Sequence, residues 1–291
     1  MDGILNVLKP PKMTSHDVIA FLRKALKTKK IGHAGTLDPD AAGVLPVFVG
    51  AATRLLEYAV EGKKQYIVEI TLGVQTDTGD DSGNIIQKMP VPVIDEIILK
   101  STLQSFLGKQ QQVPPMYSAL KVNGQKLYDL ARKGIEVERK PREIEVYKLE
   151  LLYFSGNKLT LAVDCSKGTY IRVLGEDIAK ALNTCGTMSF LLRTQVGSFK
   201  INDAASLQEI AERPEKYIVP SDSAVAHLPK IKLTPKQASR ITSGVRTTVA
   251  GTVDGQYVLY GPADEFLAIG KCSDERIKAE KVLYHYELQE E

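Results

Sequence analysis

The feature that most constrains the fold is a pair of strand-like segments joined by a tight turn. Residues 144–154 and 159–165 are rich in large apolar and β-branched residues, and Ser155, Gly156 and Asn157 separate them. A connection this short joins antiparallel strands, because parallel strands need a crossover of a dozen or more residues. We therefore predict a β-hairpin over residues 144–165.

Other strand patterns and several helix patterns occur in irregular order. Ile4–Leu8 is a short apolar run, and large apolar side chains alternate with other residues from Tyr66 to Leu72. Because strands predominate and helices are interspersed without a regular βαβ order, we predict an α+β fold. Its core is a central mixed, mostly antiparallel sheet with flanking helices.

Three segments have the spacing of amphipathic helices. The first begins with a capping-box-like Thr14-Ser15-His16-Asp17 and continues to Leu26, and the second ends at Gly108. The third follows Arg172, which we expect to lie on a strand ahead of the helix. Gly32–Gly43 is too rich in Gly, Pro and Asp for regular structure, so we predict a loop there.

The pattern changes between Pro214 and Pro229. A helix is predicted from Thr234 to Gly244. Short strands are predicted at Gln256–Tyr260, Phe266–Lys271 and Lys281–Leu288. We therefore expect a large domain over residues 1–228 and a small β-rich module over residues 229–291.

Charge is distributed unevenly along the chain. Residues 1–30 hold seven Lys/Arg against two acidic residues, and residues 109–142 hold eight against three, although the net charge of the whole chain is only +3. Basic segments on an otherwise acidic body suit a polyanion such as nucleic acid, and solvated helix faces have the same composition. Charge alone leaves both interpretations open.

The sequence gives no sign of a metal or membrane protein. The three cysteines and four histidines are scattered without ligand spacing, and the acidic run TDTGDDSG lacks the terminal Glu of an EF-hand. The first residues lack an apolar stretch long enough for a secretion signal or a membrane span. We predict a cytoplasmic protein without a metal.

Asp38 is the leading candidate for chemistry. It lies in the segment GTLDP, where Pro39 favours an extended backbone at Asp38 and nearby glycines permit close approach of a ligand. An isolated Asp-Pro pair usually does no more than begin a turn, so the surrounding motifs must decide between the two interpretations.

Six motifs follow one another along the chain: NVLKPPKMTSHD, GHAGTLDPDAAGVLPVFVGAATR, KKQYIVEITLGVQTDTGDDSG, PPMYSALKVNGQKLYDLAR, CSKGTYIRVLGEDI and LLRTQVGSF. Together they closely resemble the TruB family of bacterial tRNA pseudouridine-55 synthases, from residue 3 to about residue 200. Towards the C-terminus the resemblance weakens to a shortened PUA-like RNA-binding module. The fold that the resemblance implies is the pseudouridine synthase fold.

The resemblance implies a role for each of five residues. Asp38 is the carboxylate that reacts with or deprotonates the target nucleoside, and Arg172 pairs with it. Tyr66 stacks on the uracil ring, Tyr170 is a second aromatic residue of the same site, and Leu191 lines the site beneath the base. The reaction needs no cofactor, because exchanging N1 for C5 involves no net redox change, hydrolysis or phosphoryl transfer.

The resemblance also implies a set of RNA contacts. His33 enters the T-loop and takes the place of the extruded uridine. Residues 113–142 form an insertion that folds over the T-arm, and the scarcity of large apolar residues in it predicts poor order without RNA. Lys9, with Pro10, supports Tyr66 from behind. The full set of predicted RNA-binding residues is His33, Lys9, Lys64, Lys126, Arg132, Lys133, Arg139, Lys140 and Arg142.

Two other functions remain open on the sequence. A non-catalytic RNA-binding protein would account for the basic segments but leaves Asp38, Tyr66 and Arg172 unexplained. A hydrolase with Asp38 as nucleophile would normally need a second carboxylate or a metal. The expected activity is therefore isomerisation of uridine 55 in tRNA, by a monomer that binds the T-arm stem-loop.

Overall fold

The computed structural model describes residues 1–59, 62–118, 120–122 and 124–287. Its strands are β1 Gly3–Lys9, β2 Ile31–His33, β3 Ala42–Val49, β4 Lys64–Leu72, β5 Val74–Thr76, β6 Ile85–Lys88, β7 Gly108–Gln112, β8 Lys121–Val122, β9 Gln125–Lys126, β10 Arg142–Ser155, β11 Lys158–Cys165, β12 Gly186–Val196, β13 Phe199–Lys200, β14 Ile218–Val219, β15 Lys230–Lys232, β16 Thr247–Thr248, β17 Gly255–Tyr260, β18 Phe266–Ser273 and β19 Arg276–Val282. Its α-helices are α1 Ser15–Ala25, α2 Leu56–Ala59, α3 Glu96–Ser105, α4 Leu127–Ala131, α5 Ile171–Ala181, α6 Leu207–Glu212, α7 Pro214–Tyr217 and α8 Pro235–Thr242.

A large mixed sheet forms the centre of the protein. Its strand order is β14-β1-β3-β12-β4-β11-β10-β7, with β2 paired to β3 and β13 paired to β12. Only β3 and β12 run parallel, and the other pairs are antiparallel. The predicted α+β class with a mostly antiparallel mixed sheet is therefore confirmed.

Local sequence patterns account for several of these elements. Alternate residues of β4 are buried, so its period-2 pattern places Tyr66 and Lys64 on the same covered face. The predicted hairpin is present as β10 and β11, joined at Ser155↔Lys158. Helix α1 begins with the predicted capping box, in which Thr14 and Asp17 satisfy each other's backbone N–H groups.

Helices cover two parts of this sheet. Helix α5 packs on β12 and β4, and α3 packs on β10 and α5; Leu99, Leu103, Leu174 and Ile178 of the two helices are buried in one apolar cluster. Helices α1 and α6 pack on β1 and β3 in a second apolar cluster. These two packings fix the start of α1 and the start of α5, which are the two helix ends that carry residues of the candidate site.

A second sheet lies towards the C-terminus, with the order β15-β17-β18-β19-β16. One apolar cluster contains Phe48 of the central sheet together with Val258 and Ile269 of this second sheet. The prediction of a strand at Lys281–Leu288 was wrong, because a turn with left-handed residues at 274 and 275 lets the last strand begin at Arg276. Leu288 itself lies outside the described residues.

The insertion between β7 and β10 has a small packed centre of its own. Leu127 and Leu130 of α4 are buried, and the backbone N–H of Leu127 donates to the carbonyl of Leu120 at 2.8 Å. The scarcity of large apolar residues in this segment predicts poor order without RNA. Two leucines of the helix supply an anchor, even though most of the segment's basic side chains are exposed.

Within the described residues, none of the helices combines the length and the apolar character needed to cross a membrane.

Candidate active site

Asp38 lies in the loop of residues 34–41, which joins β2 to β3 and is called the catalytic loop below. The loop is shorter than predicted, because β2 and β3 take up its ends. Gly43, where β3 leaves the loop, has φ 114°, and a Cβ there would lie 2.1 Å from the backbone oxygen of Arg193. Only glycine permits this close approach of β3 to β12.

Two nitrogen atoms of the Arg172 guanidinium contact the two carboxylate oxygens of Asp38. The Nε···Oδ2 distance is 3.1 Å, and Nη2 donates to Oδ1 at 3.3 Å. The Arg172 side chain is 6% exposed, whereas that of Asp38 is 36% exposed. A paired guanidinium therefore orients the carboxylate from the buried side and leaves part of it accessible.

Arg172 also ties three separate segments of chain together. Its Nη1 donates to the carbonyl of Thr78 at 2.8 Å, and its Nη2 donates to the carbonyl of Tyr117 at 2.8 Å. Thr78 belongs to the acidic turn after β5, and Tyr117 belongs to the insertion. The prediction that Arg172 lies on a strand was wrong, because it lies in the first turn of α5 and points back to these carbonyls.

Burial raises the pKa of Asp38 above its ordinary value. Arg172 acts in the opposite direction, and the neighbouring carboxylate of Asp80 raises the pKa further. Asp80 Oδ2 lies 3.6 Å from Nη1 of Arg172, so the two carboxylates share one guanidinium. This arrangement keeps Asp38 more basic than an exposed aspartate.

The backbone of the catalytic loop is held by buried side chains from distant segments. The ammonium of Lys9, which is 0% exposed, donates to the carbonyls of Pro10, Pro39 and Ala41 at 2.8, 3.1 and 2.6 Å. An RNA contact was predicted for Lys9, but all three of its donors are used on backbone carbonyls. Lys9 therefore positions the loop instead of projecting to the surface.

Ser15, at the start of α1, also holds the backbone of the catalytic loop. The N–H of Leu37 donates to Ser15 Oγ at 3.0 Å, and Ser15 Oγ donates to the carbonyl of Leu37 at 3.1 Å. Ser15 is 1% exposed. The residue immediately before Asp38 is thus fixed at both of its backbone groups.

Arg193 is a site residue that the sequence did not identify. It is 1% exposed, and its guanidinium donates to the carbonyls of Val44 at 2.8 Å, Gly35 at 3.0 Å and Thr36 at 3.5 Å. The sequence pattern that could have identified Arg193 is its position two residues after Leu191 on the same strand, because residues at that spacing point to the same face of a sheet.

Tyr66 and Leu191 lie together beside the catalytic loop. Tyr66 is 7% and Leu191 8% exposed, and both belong to the apolar cluster that contains Leu37 and Ala41 of the loop. Burial raises the pKa of Tyr66 to about 12, and the charge of Arg193 acts against that increase. Tyr66 is consequently a neutral phenol that presents a flat apolar surface.

Tyr170 is the residue before α5 and lies next to the Asp38–Arg172 pair. Its backbone makes a reciprocal pair of hydrogen bonds with Gln112, at 2.8 and 3.1 Å. Burial raises its pKa, and the charge of Arg172 acts against that increase. The structure thus brings together the five residues for which the resemblance implied a role in chemistry.

His33 lies at the end of β2 and is half-buried, not exposed as a loop histidine would be. Burial, then the nearby His16 and Arg193, lower its pKa to about 4, so the ring is neutral at physiological pH. Its ring meets that of His16 edge-on at 5.7 Å between centroids. No hydrogen-bond partner for its buried Nδ1 occurs among the described residues.

Lys64 was predicted to contact RNA and is 8% exposed. It begins β4 and shares a face of that strand with Tyr66. A Cβ on Gly35 would lie 3.7 Å from Nζ of Lys64 and 3.6 Å from Nη1 of Arg193, so both cations lie against the catalytic loop.

The remaining predicted RNA contacts lie in or beside the insertion. Arg139 is half-buried and bonded to Glu136 and to the carbonyl of Pro114, so it fastens the segment to itself. The side chain of Lys126 lies outside what the structure describes. The basic residues with exposed side chains are Arg132, Lys133, Lys140 and Arg142.

Among the described residues, no group of three or more His, Cys, Asp or Glu side chains is arranged to hold a metal ion. The run TDTGDDSG instead forms a turn in which Asp77 accepts from the backbone of Asn84 and Asp80 from that of Ser82. Asp80 was read from the sequence only as a turn residue, and its contact with Arg172 was not anticipated.

The fold and this site define a pseudouridine synthase. A sequence profile described as "TruB family pseudouridylate synthase (N terminal domain)" matches residues 23–171. The protein described as tRNA pseudouridine synthase B of Caldanaerobacter subterraneus subsp. tengcongensis is 46% identical over 284 residues, covering 97% of this chain and 99% of that protein. That of Clostridium kluyveri is 43% identical with the same coverage. The chain belongs to the TruB family of pseudouridylate synthases.

Solved structures agree with this assignment. The chain matches a protein in a Cbf5–Nop10–Gar1 complex with a TM-score of 0.77 and 27% identity, over 98% of this chain and 85% of that one. A match to a structure of an H/ACA RNP bound to a substrate RNA containing 2′-deoxyuridine has a TM-score of 0.74 and 26% identity, over 97% and 85% of the two chains.

Proposed function

We propose that the protein converts uridine 55 in the T-loop of tRNA to pseudouridine, with Asp38 as the catalytic carboxylate. The relatives described as tRNA pseudouridine synthase B, which match almost the full length of this chain, support tRNA as the substrate. The observation that carries the assignment of Asp38 is its two-donor pairing with the buried Arg172, beside the apolar surface of Tyr66 and Leu191.

Each residue of the site has a distinct task in this reaction. The N1–C1′ bond of the target nucleoside breaks, the uracil turns, a C5–C1′ bond forms, C5 loses its proton and N1 gains one. Asp38 serves as nucleophile or as base during these steps. Burial raises its pKa, which makes the carboxylate more basic and more nucleophilic than that of an exposed aspartate and so suits both tasks. Tyr66 and Leu191 hold the base, and the bonds to the catalytic loop keep Asp38 in place.

The RNA is held outside this centre. His33 is neutral and flat, which suits stacking in the gap that the extruded uridine leaves. The exposed basic residues of the insertion contact phosphates of the T-arm, and residues 229–291 form a PUA-like module that binds RNA beside the catalytic domain of residues 1–228. We propose that the protein acts on the T-arm as a monomer.

The test of this proposal is formation of pseudouridine by purified protein on a T-arm stem-loop. Release of tritium from C5-labelled uridine reports the reaction, and nucleoside mapping identifies the position. Replacement of uridine 55 by cytidine should abolish product. Product at another uridine, or an absolute requirement for the anticodon arm, would overturn the assignment of the substrate.

Substitution separates chemistry from binding. Asp38→Asn should abolish isomerisation while the affinity for RNA stays within roughly tenfold, because most of the affinity comes from phosphate contacts elsewhere. The matched control is Asp40→Asn, since Asp40 lies on the same loop but is paired with Lys12 on the surface. Wild-type turnover by Asp38→Asn would eliminate Asp38 as the catalytic carboxylate.

A further inference from the structure

Lys64 is 8% exposed, and no described residue accepts a hydrogen bond from its ammonium group. The contrast with Lys9 is informative, because both lysines lie under the catalytic loop and burial lowers the pKa of each to about 8. Lys9 has three carbonyl acceptors for its three N–H groups. Lys64 therefore has donors available for a group that is not part of the protein.

The position of this ammonium group places it at the candidate site. Nζ of Lys64 lies close to Gly35, three residues before Asp38, and the Lys64 side chain points to the same face of β4 as Tyr66. Arg193 lies against Gly35 as well, but its guanidinium donates to three backbone carbonyls and also interacts with the Tyr66 hydroxyl. Among the described residues beside the loop, Lys64 is thus the cation whose N–H donors remain available to a ligand.

The charged and titratable neighbours of Lys64 leave it without an anion. Arg193 on β12 and Lys167 after β11 are cationic and lower its pKa, in addition to burial, whereas the thiol of Cys165 on β11 raises it. Partial loss of hydration and repulsion by the two neighbouring cations both raise the free energy of the Lys64 charge. A negatively charged ligand would offset both costs on binding.

We propose that the Lys64 ammonium group binds an RNA backbone phosphate adjacent to the nucleotide that enters the active site. This inference rests on the proposed function, because it identifies the part of the RNA that this end of the site receives. A phosphate fits better than a uracil carbonyl because the local excess of charge is positive and a phosphate supplies a full negative charge. The contact would fix the extruded nucleotide by its backbone while Tyr66 holds its base.

The experiment combines a change in the protein with a change in the RNA. T-arm stem-loops carry a neutral methylphosphonate at one position, either 5′ or 3′ to the target uridine or at a distant stem position. Each neutral linkage has a 2′-O-methyl ribose on its 5′ side, and the matched control RNA has the same 2′-O-methyl group with a normal phosphate. Dissociation constants and tritium release are measured for wild type, Lys64→Gln, Lys64→Arg and Lys63→Gln.

Lys63 is the matched control, since it is the adjacent residue but is exposed and lies over the ring of Tyr147. Lys64→Gln should weaken binding by roughly tenfold or more, as expected for loss of a charge-assisted hydrogen bond. A methylphosphonate at one of the flanking positions should weaken RNA binding by the wild-type protein by a similar factor. The same methylphosphonate should not weaken binding by Lys64→Gln any further. Lys64→Arg should keep most of the affinity, and effects at the stem position should be additive with Lys64→Gln.

The pH dependence of binding gives a second readout. Only the protonated ammonium group binds a phosphate well, and its pKa in the free protein is about 8. Affinity of wild type should therefore fall as pH increases above about 8, whereas Lys64→Arg should lose that dependence because arginine stays charged. The same change in both proteins would count against Lys64 as the group responsible.

Two results would overturn the proposal. In the first, the loss of affinity caused by Lys64→Gln adds to the loss caused by a methylphosphonate at each of the two flanking positions. In the second, neither flanking methylphosphonate weakens binding to the wild-type protein. The second result is independent of whether Lys64 variants fold. Formation of pseudouridine by wild type is measured in the same samples. If wild type forms none, the proposed function fails, whereas product formation without coupling refutes only the phosphate contact.

Discussion

Removal of the Arg172 charge should move the acidic limb of the activity profile to higher pH. Asp38 must be ionised to act as nucleophile or base, so activity rises as pH increases through its pKa. Burial and Asp80 raise that pKa, and Arg172 opposes them. Arg172→Gln removes the opposing charge, so the pKa of Asp38 increases and a smaller fraction is ionised at any given pH.

The size of the shift follows from the geometry. Unit charges about 4 Å apart interact by about 4 kcal/mol at an effective dielectric constant of about 20. More than a third of the Asp38 side chain is exposed, so solvent screening reduces this to roughly 1–3 kcal/mol. The limb should therefore move by about 1–2 pH units, since one unit corresponds to about 1.4 kcal/mol.

Arg172→Lys separates charge from geometry. Lysine keeps the positive charge but cannot donate in parallel to both oxygens of Asp38 while also bonding the carbonyls of Thr78 and Tyr117. We expect its acidic limb near that of wild type and its plateau well below it. Single-turnover product formation from pH 5 to 9 measures both quantities. Lys180→Gln, which removes a charge from the far end of the same helix, is the control.

An acidic limb in Arg172→Gln at the wild-type position would refute this reasoning. It would mean that the guanidinium organises the three segments that it joins without setting the ionisation of Asp38.

Two further predictions concern the loop and the insertion. Ser15→Ala leaves both backbone groups of Leu37 without their buried partner, so we expect a loss of about 1–3 kcal/mol in the free energy of unfolding and a lower kcat with little change in KM, measured by denaturation and steady-state kinetics. Replacement of Arg132, Lys133 and Lys140 together by Gln should raise KM and flatten the salt dependence of binding, while hydrogen exchange of the insertion should slow on RNA binding in wild type; equal exchange with and without RNA and unchanged kinetics in the variant would contradict a clamp.

The elements that short-range patterns specify were predictable from the sequence. The alternation in β4, the hairpin of β10 and β11 and the capping box of α1 each depend on residues a few positions apart, and each is present. The strand β19 was misplaced because charged residues alternate with Ile277 and Ala279, which obscured its pattern. Its start depends on a turn whose left-handed residues are not glycine.

The burial of the site's cations was not predictable in the same way. A lysine or an arginine is normally exposed, and it can be buried only where acceptors are supplied. Two of the three acceptors of Lys9 come from a segment about thirty residues away, and those of Arg193 from one about a hundred and fifty residues away. Such pairings are a property of the folded sheet. The spacing of two residues from Leu191 was the only local indication that Arg193 belongs to the site.

Under the proposed function, the distribution of these cations explains how the site can hold Asp38 as an ionised carboxylate that remains reactive. If Lys9 and Arg193 both paired directly with Asp38, its pKa would fall and the carboxylate would become a weak base and nucleophile. Instead both are bonded to backbone carbonyls of the catalytic loop and its flanks, so they fix its shape and influence Asp38 only through space. Among the described residues, Arg172 is the one whose side chain contacts the carboxylate, and it is shared with Asp80. The loop backbone is therefore held in place by these bonds, and in the proposed reaction little reorganisation would be needed as charge moves.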